Sequence, residues 1–504
     1  QHGPGAELEI KLALPTADPA SLARQLARLP ALARRKPVRK QVDNIYFDTP
    51  AQALRAQRMA LRLRRVGGDD APQWLQTFKT SDGGDSALSL RGEWEVPVPG
   101  PALVQAALQA VPPWQRLDPE GAVFAALQPC FATAFERTAW TVRRRDGSVI
   151  EVALDLGQIT SGQRSVPICE LELELLAGAP TALFDLARHI ALHIAVLPLA
   201  ASKAQRGHAL RDGTLDTPLR ARPQPLGGDV AWHHMVQPVL GEMFAQFTAN
   251  LNALRHCDDP ELVHQARVGW RRFRGAVRLF KPAVPAQALP SWQGLQPLLT
   301  ALGELRDLDV ACTQTLPALQ NAFVAECAER MQAWQAMELA FRHAAVQQRR
   351  AVRHALQAPA VGAALLAITL WLDELARPEA WGAQDISGKA VRRWVRQRMV
   401  RLHAQWKKAL RDSTHAESQH RARILAKRLR YNIEALCPLL PARTQRWLQQ
   451  ASGVQAGIGA SRDLLQAGVL AQRLAVDRGI VAFLRGYAAG RAGVPWASQL
   501  PGSV

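Results

Sequence analysis

Glu7-Leu8-Glu9-Ile10-Lys11-Leu12 is the stretch from which the fold is read. In an extended strand successive side chains point to opposite faces. Glu7, Glu9 and Lys11 therefore share one face, and Leu8, Ile10 and Leu12 the other. A single strand of this kind is ordinary: apolar face on a core, charged face in water. The device recurs, however, through the next two hundred residues. Arg62 and Arg64 alternate with Leu61 and Leu63, Leu75, Thr77 and Lys79 share a face, and Arg91, Glu93 and Glu95 line another. Glu151 and Asp155 oppose Val152, Leu154 and Leu156, while Glu170, Glu172 and Glu174 oppose Leu171, Leu173 and Leu175. Further strands are expected at Val42 to Phe47 and at Phe135 to Val142, with Arg137 inside the latter. Asp146-Gly147 is a hairpin signal.

Three carboxylates in a row repel one another unless a cation or basic groups sit between them. A closed antiparallel barrel answers this if the charged faces line its lumen and the apolar faces pack outward against helices. Helices are expected from Pro19 to Arg35, with Leu22, Leu26 and Leu29 in register, and from Pro180 to Val196. Such a lumen gathers carboxylates suited to hard divalent cations, with Mg²⁺ as natural occupant, and Lys and Arg suited to phosphate oxygens.

The 504 residues exceed one ordinary core, and two to four domains are expected. The net charge of +19 is unevenly placed. From Ala231 onward 35 Lys and Arg stand against 19 Asp and Glu, or +16; the first 230 residues hold 27 against 24, or +3. The back half thus has the footprint of a polyanion binder, whether for nucleic acid, anionic membrane or polyphosphate. Six cysteines lie far apart without a C-x-x-C, which points to free thiols in a reducing cytoplasm. No signal peptide is visible, and the longest apolar run, Val361 to Leu372, is too short for a bilayer and reads as a buried helix.

A Pro- and Gly-rich stretch from Thr217 to Gly228 reads as a linker. Beyond it the pattern is helical and internally repeated. His264-x-x-Arg267-Val268-x-x-Arg271-Arg272-Phe273-Arg274 recurs 156 residues later as His420-x-x-Arg423-Ile424-x-x-Lys427-Arg428-Leu429-Arg430. Gly303-x-x-Arg306-Asp307 recurs at the same offset as Gly459-x-x-Arg462-Asp463. Two motifs in one register mark a duplicated helical domain. Asp259-Pro260-Glu261 and Thr414-x-x-Glu417 are helix starts for the two copies. On a helix His264, Arg267, Arg271, Arg274 and Arg278 form one stripe, matched by His420, Arg423, Lys427 and Arg430. Like charges along one face repel, so an anionic partner or internal acids must be near. Lys389, Arg392, Arg393, Arg396, Arg398 and Arg401 add another basic helix.

The front half resembles the CYTH family of triphosphate tunnel metalloenzymes. The resemblance rests on an ordered set of motifs: Glu7-x-Glu9-x-Lys11, Tyr46-Phe47-Asp48-Thr49, Leu61-Arg62-Leu63-Arg64, Thr77-Phe78-Lys79, Glu93-x-Glu95, Asp155-x-Gly157, Glu170-x-Glu172-x-Glu174 and Ser202-Lys203-x-x-Arg206. It covers about residues 6 to 213. It implies an eight-stranded tunnel and metal-dependent hydrolysis or cyclisation of a triphosphate. Lys11, Arg62, Arg64, Lys79, Arg137, Lys203 and Arg206 would grip phosphates, and Glu7, Glu9, Asp155, Glu170, Glu172 and Glu174 would hold Mg²⁺ or, alternatively, Mn²⁺. Glu93 or Glu95 would orient the attacking water. No purine-recognition element is evident, which favours inorganic triphosphate over ATP; Trp74 and Trp94 either stack on an organic group or sit on the barrel exterior.

The back half, about residues 230 to 495, resembles the CHAD family, a conserved-histidine helical domain. That resemblance implies two antiparallel four-helix bundles binding long-chain inorganic polyphosphate through His264, Arg267, Arg271, Arg274, Arg278, His420, Arg423, Lys427 and Arg430. The expected architecture is a multidomain α and β protein. An eight-stranded antiparallel tunnel with flanking helices spans residues 6–215, followed by a linker at 216–229. An all-α domain of two pseudo-symmetric four-helix bundles then spans 230–504, its repeats at about 230–380 and 386–495. The expected function is a Mg²⁺-dependent inorganic triphosphatase, cytoplasmic and associated with polyphosphate granules, with no membrane partner. The rivals are a non-catalytic polyphosphate scaffold, an enzyme for an organic triphosphate such as thiamine triphosphate, and a nucleic-acid binder. The last lacks a helix-turn-helix, a zinc motif or an aromatic-interleaved basic sheet.

Overall fold

The computed structural model describes residues 6–16, 18–67, 72–81, 86–223, 226–227, 230–285, 289–382, 385–412 and 416–492. The strands are β1 (Ala6–Ala13), β2 (Val38–Asp48), β3 (Met59–Val66), β4 (Gln73–Thr80) and β5 (Leu88–Val98). They continue with β6 (Gln128–Arg143), β7 (Val149–Ser161), β8 (Arg164–Ala177) and the short β9 (Leu197–Pro198). The sheet order is β5-β4-β3-β2-β6-β7-β8-β1-β9, and β1 also pairs with β5. Leu8 faces Leu175 of β8 on one side and Leu90 of β5 on the other, so the eight long strands close into a ring. Every pairing is antiparallel.

The period-two pattern of the strands sorts as expected. Ile10, Leu12, Val152, Leu154, Leu171 and Leu173 are buried on the outside of the ring. There they pack with Leu22, Leu26 and Leu29 and with Leu183, Ala187 and Ile190 of the helix Pro180–Ala191. The helix expected from Pro19 to Arg35 is shorter: a 3₁₀ turn, Pro19–Ser21, leads into Leu22–Ala27, after which the chain turns. Pro30 is the physical cause, since it lacks an N–H and disfavours helical geometry at the residue before it.

By contact the chain divides into two compact units. The first holds Gln1–Thr217, Pro290–Leu295 and Leu356–Trp371; the second holds Pro218–Leu289, Gln296–Ala355 and Leu372–Val504. Leu366 and Leu370, from the last segment of the first unit, share an apolar layer with Ile10 and Trp140.

In the second unit the first repeat supplies Trp232–Ala253, Pro260–Phe280, Gln296–Val310 and Ala328–Leu356. A wider π turn, Ala311–Thr315, carries the third of these onward into Leu316–Val324. The second repeat supplies Lys389–Arg411, Ala416–Leu436, Thr444–Arg473 and Arg478–Ala492. Pro260–Phe280 starts on Asp259, whose carboxylate accepts from the Glu261 N–H. The start expected at Thr414 lies outside the described residues. Leu308, Leu319, Trp334 and Phe341 of the first repeat share one core with Leu464, Leu470, Ile480 and Leu484 of the second.

Candidate functional site

The ring of strands encloses a cavity of about 600 Å³ whose walls carry both signs of charge. One wall is built by β3, β4 and β5. The register sets Arg62 beside Thr77, Thr77 beside Glu95, and Lys79 beside Glu93. Lys79 Nζ lies 2.7 Å from Glu93 Oε2, and Arg62 Nη2 lies 3.5 Å from Glu93 Oε1. Glu95 accepts from the Thr77 hydroxyl at 2.7 Å and faces Arg64 at 3.4 Å. Burial, together with the neighbouring Arg62 and Arg137, brings the Arg64 guanidinium down to a pKa of about 10. This wall therefore carries more positive charge than its acids answer.

The opposite wall comes from β6, β7, β8 and the helix Lys203–Asp212. Arg137 is the register partner of Asp155, and Asp155 of Glu170. Arg137 clasps Asp155 with two hydrogen bonds of 2.7 Å and reaches Glu172 at 2.5 Å. Lys203 Nζ lies 2.7 Å from Asp155 Oδ2 and 2.9 Å from Glu172 Oε1, and also donates to Glu170. Asp155 is 0% exposed and Glu170 1%. Burial alone would raise the Glu172 pKa, but Lys203, Arg137 and Lys11 hold it well below the usual range. Two local features aim the helix at this cluster. Ser202 and Gln205 form a reciprocal capping box at its start. Gly207 lies so close to the Phe131 ring that an added Cβ would sit 2.1 Å from it.

The remaining sequence-derived candidates fall as follows. Glu9 accepts from Lys11 at 2.9 Å and from Ser89 at 3.1 Å, and Glu174 stands across from it on β8. The Glu7 side chain lies outside the described residues. Arg206 is not part of the cavity lining; it donates to Glu170 at 2.9 Å and to the Pro167 carbonyl at 2.6 Å, bracing the acidic cluster from behind. Trp74 and Trp94 are not in the lining either, and Trp94 packs with Phe78, ring centroids 6.0 Å apart, in an outer core. The lining adds Tyr46, Arg55, Arg58 and Glu151, none of which the sequence motifs had placed in a site. Tyr46 was visible in Tyr46-Phe47-Asp48-Thr49 but not its direction. Arg55 and Arg58 belong to a turn, where alternation gives no signal.

Asp155, Glu170 and Glu172 each offer a carboxylate oxygen, all within 4.8 Å of one another. By donor type three hard oxygens fit Mg²⁺ or Mn²⁺. The Lys203 ammonium stands among the same three carboxylates, so a bound ion would take that ammonium's place.

In the second unit, Arg267 and Arg271 on Pro260–Phe280 gather with Arg423 and Lys427 on Ala416–Leu436 and with Arg462 on Thr444–Arg473. Burial brings Arg267 down to about 10, aided by Arg271 and Arg306 and opposed by Asp307. Burial and Arg271, Arg423, Arg462 and Arg267 bring the Lys427 ammonium down to about 7. Gly303 matters here: a Cβ on it would lie 3.1 Å from an Arg267 guanidinium nitrogen. His264 is pushed down to about 4, first by burial and then by Arg306, and His420 is lowered by burial and by Arg462. Both imidazoles are therefore neutral near pH 7. Arg274 and Arg278 form a separate group, in which Arg428 feels both Arg278 and Arg398. Arg430 lies over the Tyr431 ring at 4.7 Å and 3.8 Å from Glu434, inside its own helix neighbourhood.

Residues 5–208 match the CYTH domain and residues 238–472 the CHAD domain. The chain carries a CYTH domain followed by a CHAD domain. The CYTH part is 33% identical over 205 residues to an inorganic triphosphatase of Haemophilus influenzae, covering 40% of this chain and 54% of that protein. The chain thus spans about half the length of this curated relative. Among solved structures, the CHAD domain of the plant Ricinus communis is 29% identical and covers 56% of this chain and 94% of that one, with a TM-score of 0.48. The PH1819 protein of Pyrococcus horikoshii is 17% identical and covers 36% of this chain and 85% of that one, with a TM-score of 0.23. The CYTH domain corresponds to the ring of strands and its cavity, and the CHAD domain to the duplicated helices and their cationic cluster.

Proposed function

We propose that the CYTH domain is a metal-dependent inorganic triphosphatase and that the CHAD domain binds inorganic polyphosphate. The observation that carries the first half is a lumen lined by both signs of charge. Arg62, Arg64 and Lys79 share it with Glu172, and the buried Asp155 and Glu170 sit within reach of Glu172 without lining the cavity themselves. Phosphoryl transfer asks the protein mainly for positioning and charge stabilisation. Lys11, Arg62, Arg64, Lys79 and Arg137 would bind phosphate oxygens, and a phosphate beside Arg64 would offset the burial and the repulsion from Arg62 and Arg137 that lower its pKa. When bound at Asp155, Glu170 and Glu172, a divalent ion would draw in phosphate oxygens and offset charge building on the leaving group. Glu93 faces two cations, Lys79 and Arg62, whereas Glu95 faces one and a hydroxyl. Glu95 is thus the better acceptor for a proton of the attacking water. An inorganic substrate is favoured because the aromatic rings of the lining are already engaged: Tyr46 stacks on Phe131 at 4.6 Å, and Phe135 faces the Lys203 and Arg137 cations. The name of the Haemophilus relative points the same way.

The test is phosphate release from tripolyphosphate with Mg²⁺, with Mn²⁺ and with a chelator, beside Glu170→Gln/Glu172→Gln. Turnover that requires the metal and falls at least a hundredfold in the double variant is expected. Undiminished turnover in the chelator would remove the metal from the reading; no turnover with any divalent ion would leave a phosphate-binding scaffold.

For the CHAD domain the supporting observation is a half-buried cluster of like charges drawn from both repeats, whose lowered pKa values fall into place beside a polyanion. Dense phosphate charge binds such a surface by releasing counterions. Competition between polyphosphate and duplex DNA at matched salt tests it, with polyphosphate expected to win.

A further inference from the structure

Eight Lys and Arg side chains line the tunnel cavity: Lys11, Arg55, Arg58, Arg62, Arg64, Lys79, Arg137 and Lys203. Seven of them stand in ion-pair contact with a carboxylate: Lys11 with Glu9, Arg55 with Asp212, Arg62 and Lys79 with Glu93, Arg64 with Glu95, and Arg137 and Lys203 with Asp155. Among the described residues the Arg58 guanidinium has no acid and no hydrogen-bond acceptor.

Its backbone is equally unusual. Arg58 has φ +56°, in the left-handed region that Gly or Asn occupies at least cost. The turn is held from both sides: the Arg58 N–H donates to the Arg55 carbonyl at 2.9 Å, and its own carbonyl accepts from the Ser81 N–H at 3.1 Å. The fold therefore asks for a small residue here and has an arginine, exposed and unpaired. Disfavoured backbone conformations concentrate where they serve a site. The place is informative too. Arg58 immediately precedes β3, whose Ala60, Arg62 and Arg64 line the same cavity, and Arg58 lines it as well. Arg58 is exposed where Arg62 is buried, so it adds a cation at the open end of the set that lines the lumen.

Resting on the triphosphatase reading, we infer that Arg58 binds the part of a linear phosphate chain that lies beyond the third phosphate. The inner cations hold three phosphates against the acidic wall, and the unpaired guanidinium at the mouth takes the next. Arg58 is thus a chain-length selector.

The experiment compares the full chain with Arg58→Gly, which suits the backbone, and Arg58→Lys, which keeps the charge. Phosphate release is measured from tripolyphosphate and from tetrapolyphosphate at the same Mg²⁺ and ionic strength. The ratio of kcat/KM for tetrapolyphosphate over tripolyphosphate is expected to fall about tenfold in Arg58→Gly, chiefly through KM, and to recover in part in Arg58→Lys. A melting temperature of Arg58→Gly at or above that of the parent would show that folding is not the cause. An unchanged ratio, or a parallel loss on both substrates, would overturn the assignment. If the parent hydrolyses neither substrate, the triphosphatase reading fails by itself, and calorimetric affinities for the two anions then decide on Arg58. The CHAD domain is common to both variants, so only the difference between them counts, and no difference would sink the inference.

Discussion

The ammonium of Lys203 lies 2.7 Å from the carboxylate of Asp155, and that carboxylate is wholly shut from water. Removing one partner of a buried pair strands the other, at a cost of about 3–5 kcal/mol. Asp155→Ala is expected to lose stability in that range by urea unfolding, because both Lys203 and Arg137 are deprived of it. A loss below about 1 kcal/mol would mean that Glu170 and Glu172 absorb both cations.

Gly207 and Phe131 set the approach of the helix that carries Lys203. Gly207→Ala forces that helix away or tilts the ring, and overpacking of this sort costs about 1–3 kcal/mol. Triphosphate turnover should fall with it, since Lys203 is displaced from the acidic cluster. Adding Phe131→Leu should restore part of both losses; a double-mutant cycle showing strict additivity would place the effect elsewhere.

Lys427 provides a pH signature. Its pKa of about 7 arises from burial and from Arg271, Arg423, Arg462 and Arg267, so above that pH the amine is largely neutral. A bound polyanion restores the charge, which means that binding takes up a proton. Polyphosphate affinity is therefore expected to weaken as pH rises through about 7. Fold stability should move the other way. The unfolded lysine keeps its proton to about 10.4, so between the two values the unfolded state binds more protons and stability rises with pH. Lys427→Arg should flatten the affinity profile in calorimetry at about pH 6, 7 and 8, because an arginine keeps its charge across that range.

Arg267, Arg271, Arg423 and Lys427 should also set the salt dependence. On nucleic acid each neutralised phosphate contributes roughly 0.7–0.9 to the slope of log affinity against log salt. Changing all four to Ala is expected to reduce the slope for polyphosphate by about three, while tripolyphosphate hydrolysis in the CYTH domain persists. Equal loss of both functions would contradict a division of labour between the domains.

Much of the CYTH domain was legible because alternation is a one-letter code for a strand with two environments. Glu170-x-Glu172-x-Glu174 against Leu171-x-Leu173-x-Leu175 marked two distinct faces, and the recurrence of that pattern on other strands pointed to a lumen; the ring of strands covers both faces. Alternation reports a face, however, and not a partner. It could not show that Arg137 would clasp Asp155, or that Arg206 would turn from the lumen to Glu170. Turns carry no period at all, so Arg58 stayed hidden until its backbone was seen. In the CHAD domain the repeat register marked the basic stripe, and Arg267, Arg271, Arg423 and Lys427 do gather. The stripe divides along the helix axis: seven residues at about 1.5 Å each set Arg278 roughly 10 Å beyond Arg271, beside a different neighbour, Arg428.

The ring closes through its first strand. β1 is hydrogen-bonded to β8 on one side and to β5 on the other, across more than 160 residues of chain in the longer case. A ribosome working at about 5–20 residues per second would release Glu9 and Lys11 roughly ten to thirty seconds before Leu171 to Leu175 exist to receive them. Through that interval the first strand has an unpaired edge and an apolar face in water, a condition that invites association with other chains. The two walls are consequently finished at different times: the β3, β4 and β5 wall has all its strands early, whereas the acidic wall waits until synthesis has passed β8 and the helix that carries Lys203.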